Sequence, residues 1–114
     1  MIFCRWLAPE LMAGKPATFK CDIYSLVVVF SELLSNTLPW KIYDVESIRH
    51  QVVTQGKKFP IPPKVSSKEA VRLIEKGSEI SRRKRNLQIK EISECVKHLM
   101  GVSLIVYLLF NTCV

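Results

Sequence analysis

Few residues of this 114-residue chain have the types and spacing that chemistry requires. The histidines, His50 and His98, stand far apart on helical stretches with solvated neighbours, and nothing beside them supplies the nucleophile and orienting partner of a triad. Both read as surface residues. Cys4, Cys21, Cys95 and Cys113 show no C-x-x-C spacing, and only His98 lies near one of them, so neither a zinc site nor a disulfide framework is expected. Reduced thiols in a cytoplasmic setting are expected instead. The glycines, Gly14, Gly56, Gly77 and Gly101, are isolated, which leaves no glycine-rich loop to cradle a phosphate. The basic run Arg82-Arg83-Lys84-Arg85 has the charge to hold phosphate or to act as a localisation patch, although Arg82, Arg83 and Lys84 read most simply as a solvated turn. The formal net charge of +7 permits contact with nucleic acid or an anionic membrane, but the aromatic residues do not interleave with the basic ones as a base-stacking platform would require. Nucleic acid is therefore not an expected partner. No catalytic, cofactor-binding or metal-ligating set is assigned.

The element that must organise such a chain is the stretch Asp22 to Leu34. Ile23, Leu26, Val27, Phe30, Leu33 and Leu34 recur at the spacing of one helical face, and Tyr24, Val28 and Val29 fill most of the remainder. This pattern predicts a helix wrapped on nearly every side, opened by Asp22 as cap or first-turn acid and stopped at Asn36 ahead of Pro39. Pro9-Glu10-Leu11-Met12 suits a short helix with Pro at its first turn, broken by Gly14-Lys15-Pro16, with Thr18 a turn former beyond. Asp44 can cap a helix carrying Val45, Ile48, Val52 and Val53, with Gly56 ending it. Lys57 to Pro63 reads as an extended, proline-stiffened connector, a wrapped surface strand in preference to a P-x-x-P ligand. Ser66-x-x-Glu69 predicts a capping box before a helix closed by Gly77, and a last helix starts at Asn86 with Leu87, Ile92, Val96 and Leu99 on one face.

Three motifs in order, Ala8-Pro9-Glu10, Asp22-Ile23-Tyr24-Ser25 and Leu38-Pro39-Trp40, together resemble the C-terminal lobe of a eukaryotic protein kinase. The resemblance runs to about Met100 and is looser after Pro63. It implies a mainly α fold, the helical C-terminal lobe of a kinase-like domain over residues 1–100, with the N-terminal lobe and catalytic loop absent and an apolar tail at 101–114. It also implies that Glu10 is buried against Arg85, a pairing that periodicity and composition give no reason to expect. Asp22, whose counterpart in the family bonds backbone amides of the catalytic loop, is left to cap its own helix or face water. Trp6 and Trp40 are expected to pack, although Trp40, Ile42, Ile48 and Val52 resemble a surface on which kinases dock partners.

The family's L-[IM]-x-x-C-W-x-x-D-P-x-x-R-P frame, laid on the chain without a gap, retains Leu73, Ile74 and Arg85. It places Gly77 at the Cys, Ser78 at the Trp and Ser81-Arg82 at the Asp-Pro pair, and Val27 stands where the central helix of the family has Gly. These departures, and the form Gly77 to Ile92, are similar to the inactive, testis-expressed type of kinase-like domain found in germ-cell intercellular bridges. Phosphoryl transfer needs a phosphate loop, a Lys and Glu pair, a catalytic Asp and a magnesium-binding Asp, and the chain contains none of them. The leading expectation is a cytoplasmic interaction module that binds proteins, is catalytically incompetent and holds no cofactor. The alternatives are part of an active kinase, whose complete form would use ATP and magnesium, and a small tail-anchored membrane protein. The apolar core of 101–114 is short for a bilayer span, so membrane contact is the less favoured reading of that tail.

Overall fold

A computed structural model describes residues 2–99. The described residues form helices joined by turns and extended connectors, with no strand among them. A 3-10 turn, Ile2–Arg5, leads into α1 (Pro9–Met12), α2 (Phe19–Ser35), α3 (Val45–Arg49), α4 (Lys68–Gly77) and α5 (residues 89–99).

α2 is the axis of the fold. Cys21, Tyr24, Val27, Val28 and Ser31 turn to the core and are fully buried, and α4 packs against this face through Ala70, Leu73, Ile74 and Gly77. The expectation of wrapping on nearly every side needs correction. Phe19, Leu26, Val29 and Leu33 form an exposed ridge along the opposite side, Leu33 at 66% exposure. The helix also begins three residues before Asp22, with Thr18 as the extended N-cap. Asp22 caps nothing; it lies exposed in the first turn, where its charge favours the positive end of the helix dipole. The stop at Asn36 is as expected: Asn36 adopts the left-handed conformation at φ 51°, which Asn tolerates, and its N–H donates to the Glu32 carbonyl at 2.7 Å.

Asp44 caps α3 by accepting from the Ser47 N–H at 2.8 Å, which satisfies one of the orphan donors at the helix start. Beyond Arg49 the helix widens into a π-helical turn, His50–Thr54, in which the Gln55 N–H reaches back five residues to the His50 carbonyl at 3.0 Å. Nothing in the sequence marks this change of pitch. Gly56, at φ 60°, then turns the chain into the extended connector through Pro63, which pairs with no strand among the described residues. Phe59 anchors that connector in the core.

The α4 cap is Ser67, not Ser66; its hydroxyl accepts from the Ala70 N–H at 3.3 Å. The Glu69 carboxylate therefore has no capping-box role and instead lies 3.3 Å from His98 on α5. α5 starts later than Asn86. Glu91 closes its first turn by accepting from the Gln88 N–H at 2.9 Å, while Leu87 is buried just ahead of the helix. Ile92 and Cys95 supply the buried face, and Leu99 is exposed.

No helix of the described residues is long and apolar enough to cross a membrane. The tail at 101–114, and with it Cys113, lies outside the described residues.

Candidate functional site

The most densely bonded polar group in the fold is the Arg85 guanidinium, which is fully buried. Ala8, itself fully buried, takes the extended geometry that a residue before proline prefers, and Pro9 opens α1. This sets Glu10 in the first turn, facing inward with 8% exposure. The guanidinium meets the Glu10 carboxylate as a fork, at 2.7 Å from Nη1 to Oε2 and 3.1 Å from Nη2 to Oε1. Nη1 also donates to the Lys20 carbonyl at 2.8 Å, and Nε and Nη2 donate to the Glu79 carbonyl at 3.1 and 2.8 Å. Its Cζ lies 5.0 Å from the centroid of the Tyr24 ring, an arrangement that adds cation–π attraction. The Cys21 thiol donates to Glu10 Oε2 at 3.4 Å, and the Lys20 ammonium donates back to the Arg85 carbonyl. One side chain thus ties α1, the start of α2 and the connection after α4 together across 75 residues of sequence.

The electrostatics follow from this packing. Burial pushes the Glu10 carboxyl up, but the Arg85 hydrogen bonds and charge more than offset it, and the group is held below its ordinary value. Burial pushes the Tyr24 phenol well above its ordinary value against the opposing Arg85 charge, and its hydroxyl has no partner among the described residues. Tyr24 is fully buried, the Glu10 carboxylate is committed to Arg85, and the chemistry of both is structural.

A second clamp went unnoticed in the sequence. Arg5 donates to the carbonyls of Pro39, Trp40 and Tyr43 at 3.0, 2.8 and 3.1 Å, fixing the loop after α2 to the N-terminal turn. Trp6 packs partly buried, its indole N–H donating to Glu32 at 2.8 Å, while the Ser25 hydroxyl donates to the Trp6 carbonyl at 2.7 Å. An Arg spaced from a Pro-Trp loop carries no local signal; only the closed chain brings them together.

The four residues grouped as a possible docking surface divide, with Trp40 packed inward as expected and the helix residues buried with it. Trp40, Ile48 and Val52 are core residues, each no more than 3% exposed, and of the four residues grouped there only Ile42 faces solvent. Trp40 takes a left-handed backbone conformation at φ 55°, unusual for a bulky residue, and this turns its indole inward against Tyr43 and Phe59 at centroid distances of 5.9 and 6.1 Å. Ile48 and Val52, four apart, share the inward face of the α3 helix and its π-helical continuation. Asp22 is exposed and accepts no hydrogen bond among the described residues.

Nothing among the described residues gathers three metal-ligating side chains. His50 and His98 are exposed, and Cys4, Cys21 and Cys95 are buried free thiols. Arg82, Arg83 and Lys84 are exposed in the turn that presents Arg85 inward.

This architecture can be set beside known proteins. The protein kinase domain model matches residues 3–100. The inactive serine/threonine-protein kinase TEX14 of Bos taurus is 28% identical over 94 residues, covering 82% of this chain and 6% of that protein. TEX14 of Mus musculus is 38% identical over 48 residues, covering 42% of this chain and 3% of that protein. Mitogen-activated protein kinase kinase kinase 13 of Pongo abelii is 39% identical over 57 residues, covering 50% of this chain and 6% of that protein. The chain therefore spans only a few per cent of the length of these relatives. With the family model covering nearly its whole length, and with helices compatible with the helical lobe, the chain belongs to the protein kinase domain family as a fragment of that domain.

Proposed function

We propose that this chain belongs to a catalytically inactive kinase-like protein and acts in the cytoplasm through contacts with other protein surfaces. The observation that carries the reading is the exposed ridge of α2. Phe19, Leu26, Val29 and Leu33 recur along one helix face, apolar and uncovered, whereas the exposed apolar residues elsewhere, such as Ile42 and Ile89, lie on other elements. A contiguous apolar face of this kind is what packed protein covers, either the remainder of the kinase domain of which this chain is a fragment or a separate partner. The residues given hold none of the phosphate-binding, base or magnesium-binding groups of phosphoryl transfer, so this stretch performs no transfer by itself, whatever the activity of the protein it belongs to. Inactivity of that protein is supported by the 94-residue similarity to an inactive kinase. Three buried free thiols suit a reducing compartment.

Isothermal titration of Mg·ATP into the full protein that carries this chain tests the first part: no saturable heat is expected, and saturable binding in the micromolar range would overturn it. A second reading, part of an active kinase that uses ATP and magnesium, is favoured by the 39% identity to a mitogen-activated protein kinase kinase kinase over 57 residues.

A further inference from the structure

The basic run after α4 has no part in the reading above beyond Arg85. In the fold, Arg82 and Arg83 line a recess of about 390 Å³ together with Ser81 and, from the connection between α1 and α2, Lys15. Lys15 and Arg82 are 67 residues apart in sequence, so the convergence is a product of tertiary structure. None of the three cations makes an ion pair among the described residues. The one acid in the lining is Glu10, whose charge is taken up by Arg85 at 2.7 Å. The recess consequently carries three uncompensated positive charges. The Lys84 and Arg85 N–H groups bond to the Ser81 carbonyl at 3.0 and 3.1 Å, closing a turn, while the N–H groups of Ser81, Arg82 and Arg83 find no acceptor among the described residues. Behind the cations the lining is apolar, with Val53 and Ile80 among its residues.

We propose that this recess binds a phosphomonoester carried on a peptide. The dianion is held between Lys15, Arg82 and Arg83, with the Ser81 hydroxyl and the free N–H groups of the turn as further donors. The apolar side chain next to the phosphorylated residue rests on Val53 and Ile80. A peptide fits better than a bilayer, because a flat anionic surface offers no side chain to a recess with an apolar lining. The site differs from the exposed ridge of α2 and does not depend on the proposed function.

Fluorescence anisotropy with a labelled peptide, Gly-Gly-phosphothreonine-Leu-Gly-Gly, tests it on the 114-residue chain. Saturable binding is expected, reversed by excess inorganic phosphate and absent with the unphosphorylated peptide. Each lost exposed charge contact lowers affinity by a few-fold, so Arg82→Ala with Arg83→Ala should weaken binding by about tenfold. Lys15→Ala should weaken it by about threefold. Replacing the peptide Leu with Gly should also weaken binding by a few-fold, which a purely ionic site would not show. All three cations are solvent-facing, so far-UV circular dichroism and thermal unfolding of the variants should match the parent chain. Equal binding of the unphosphorylated peptide, or full affinity in the double variant, would overturn the proposal. So would Arg82- and Arg83-dependent binding to vesicles of phosphatidylcholine and phosphatidylserine without binding of the phosphopeptide.

Discussion

Gly77→Ala tests how α4 meets α2. Gly77 is the last residue of α4, and its backbone does not lie in the left-handed region, so its small size must serve a neighbour. A Cβ placed there would stand 2.5 Å from Val27 Cγ1, 2.9 Å from Val27 Cγ2 and 2.9 Å from Leu87 Cδ2. Val27 and Leu87 are both buried, and a β-branched side chain in a helix has little χ1 freedom with which to move aside. The family resemblance implies Gly at the Val27 position and Cys at the Gly77 position, a different division of bulk across this one contact. Replacing Gly by Ala gains at most about 1 kcal/mol of helix propensity, and less at the final residue. Overpacking costs about 1–3 kcal/mol. The net expectation is a loss of about 1–2 kcal/mol, which lowers the melting temperature of a domain near this size by about 4–8 °C per kcal/mol. Val27→Ala alone deletes two methyl groups, about 1.6 kcal/mol of transfer free energy, with a cavity cost added. The double variant refills that space and should be more stable than the sum of the singles predicts by about 1 kcal/mol or more. Urea unfolding followed by far-UV circular dichroism measures all four corners of the cycle. A Gly77→Ala chain at least as stable as the parent, or strictly additive singles, would refute the packing argument.

The Glu10 and Arg85 pair gives a second cycle: Arg85→Met or Glu10→Gln leaves a buried polar partner uncompensated and should cost about 3–5 kcal/mol, with coupling of about 1 kcal/mol or more. Arg85→Lys should also destabilise, because an ammonium cannot make the forked contact; neutral single variants would exclude a structural role for the pair. Since the folded Glu10 carboxyl is held below its ordinary value, its contribution to stability is complete above that ordinary value and is lost as pH falls through the depressed folded value. Urea midpoints taken down an acid series should fall more steeply for the parent than for Glu10→Gln, and parallel curves would contradict this. The α2 ridge predicts binding of the dye ANS and self-association, both reduced by Leu26→Lys with Leu33→Lys at a stability cost within about 0.5 kcal/mol per site. Unchanged dye binding in that variant would show that the ridge is not the exposed apolar face.

What the sequence determined by itself was local. Asp44 capping through Ser47, Asn36 as the stop of α2 and Gly56 as the exit from the α3 region are each decided by contacts within a few residues, and the side-chain types announce them. Where two candidates adjoin, as at Ser66 and Ser67, propensity cannot choose, because both hydroxyls can reach an orphan N–H and packing decides which one does. Periodicity identified α2 as the centre but could not tell its covered face from its open one, because both are apolar. Ile48 and Val52 were grouped with a partner surface for the same reason: an apolar residue reads alike whether it meets a partner chain or its own core. Trp40 packs inward as expected, through a positive φ that is invisible before the loop closes. The pairing of Glu10 with Arg85 followed from the family resemblance alone. The Arg5 clamp, the fit of Gly77 against Val27 and the approach of Lys15 to Arg82 had no precursor in pattern or composition. Such contacts join residues tens of positions apart, and which of them form is settled only when the whole chain closes on one core, since only then are distance, desolvation and shape defined for each pair.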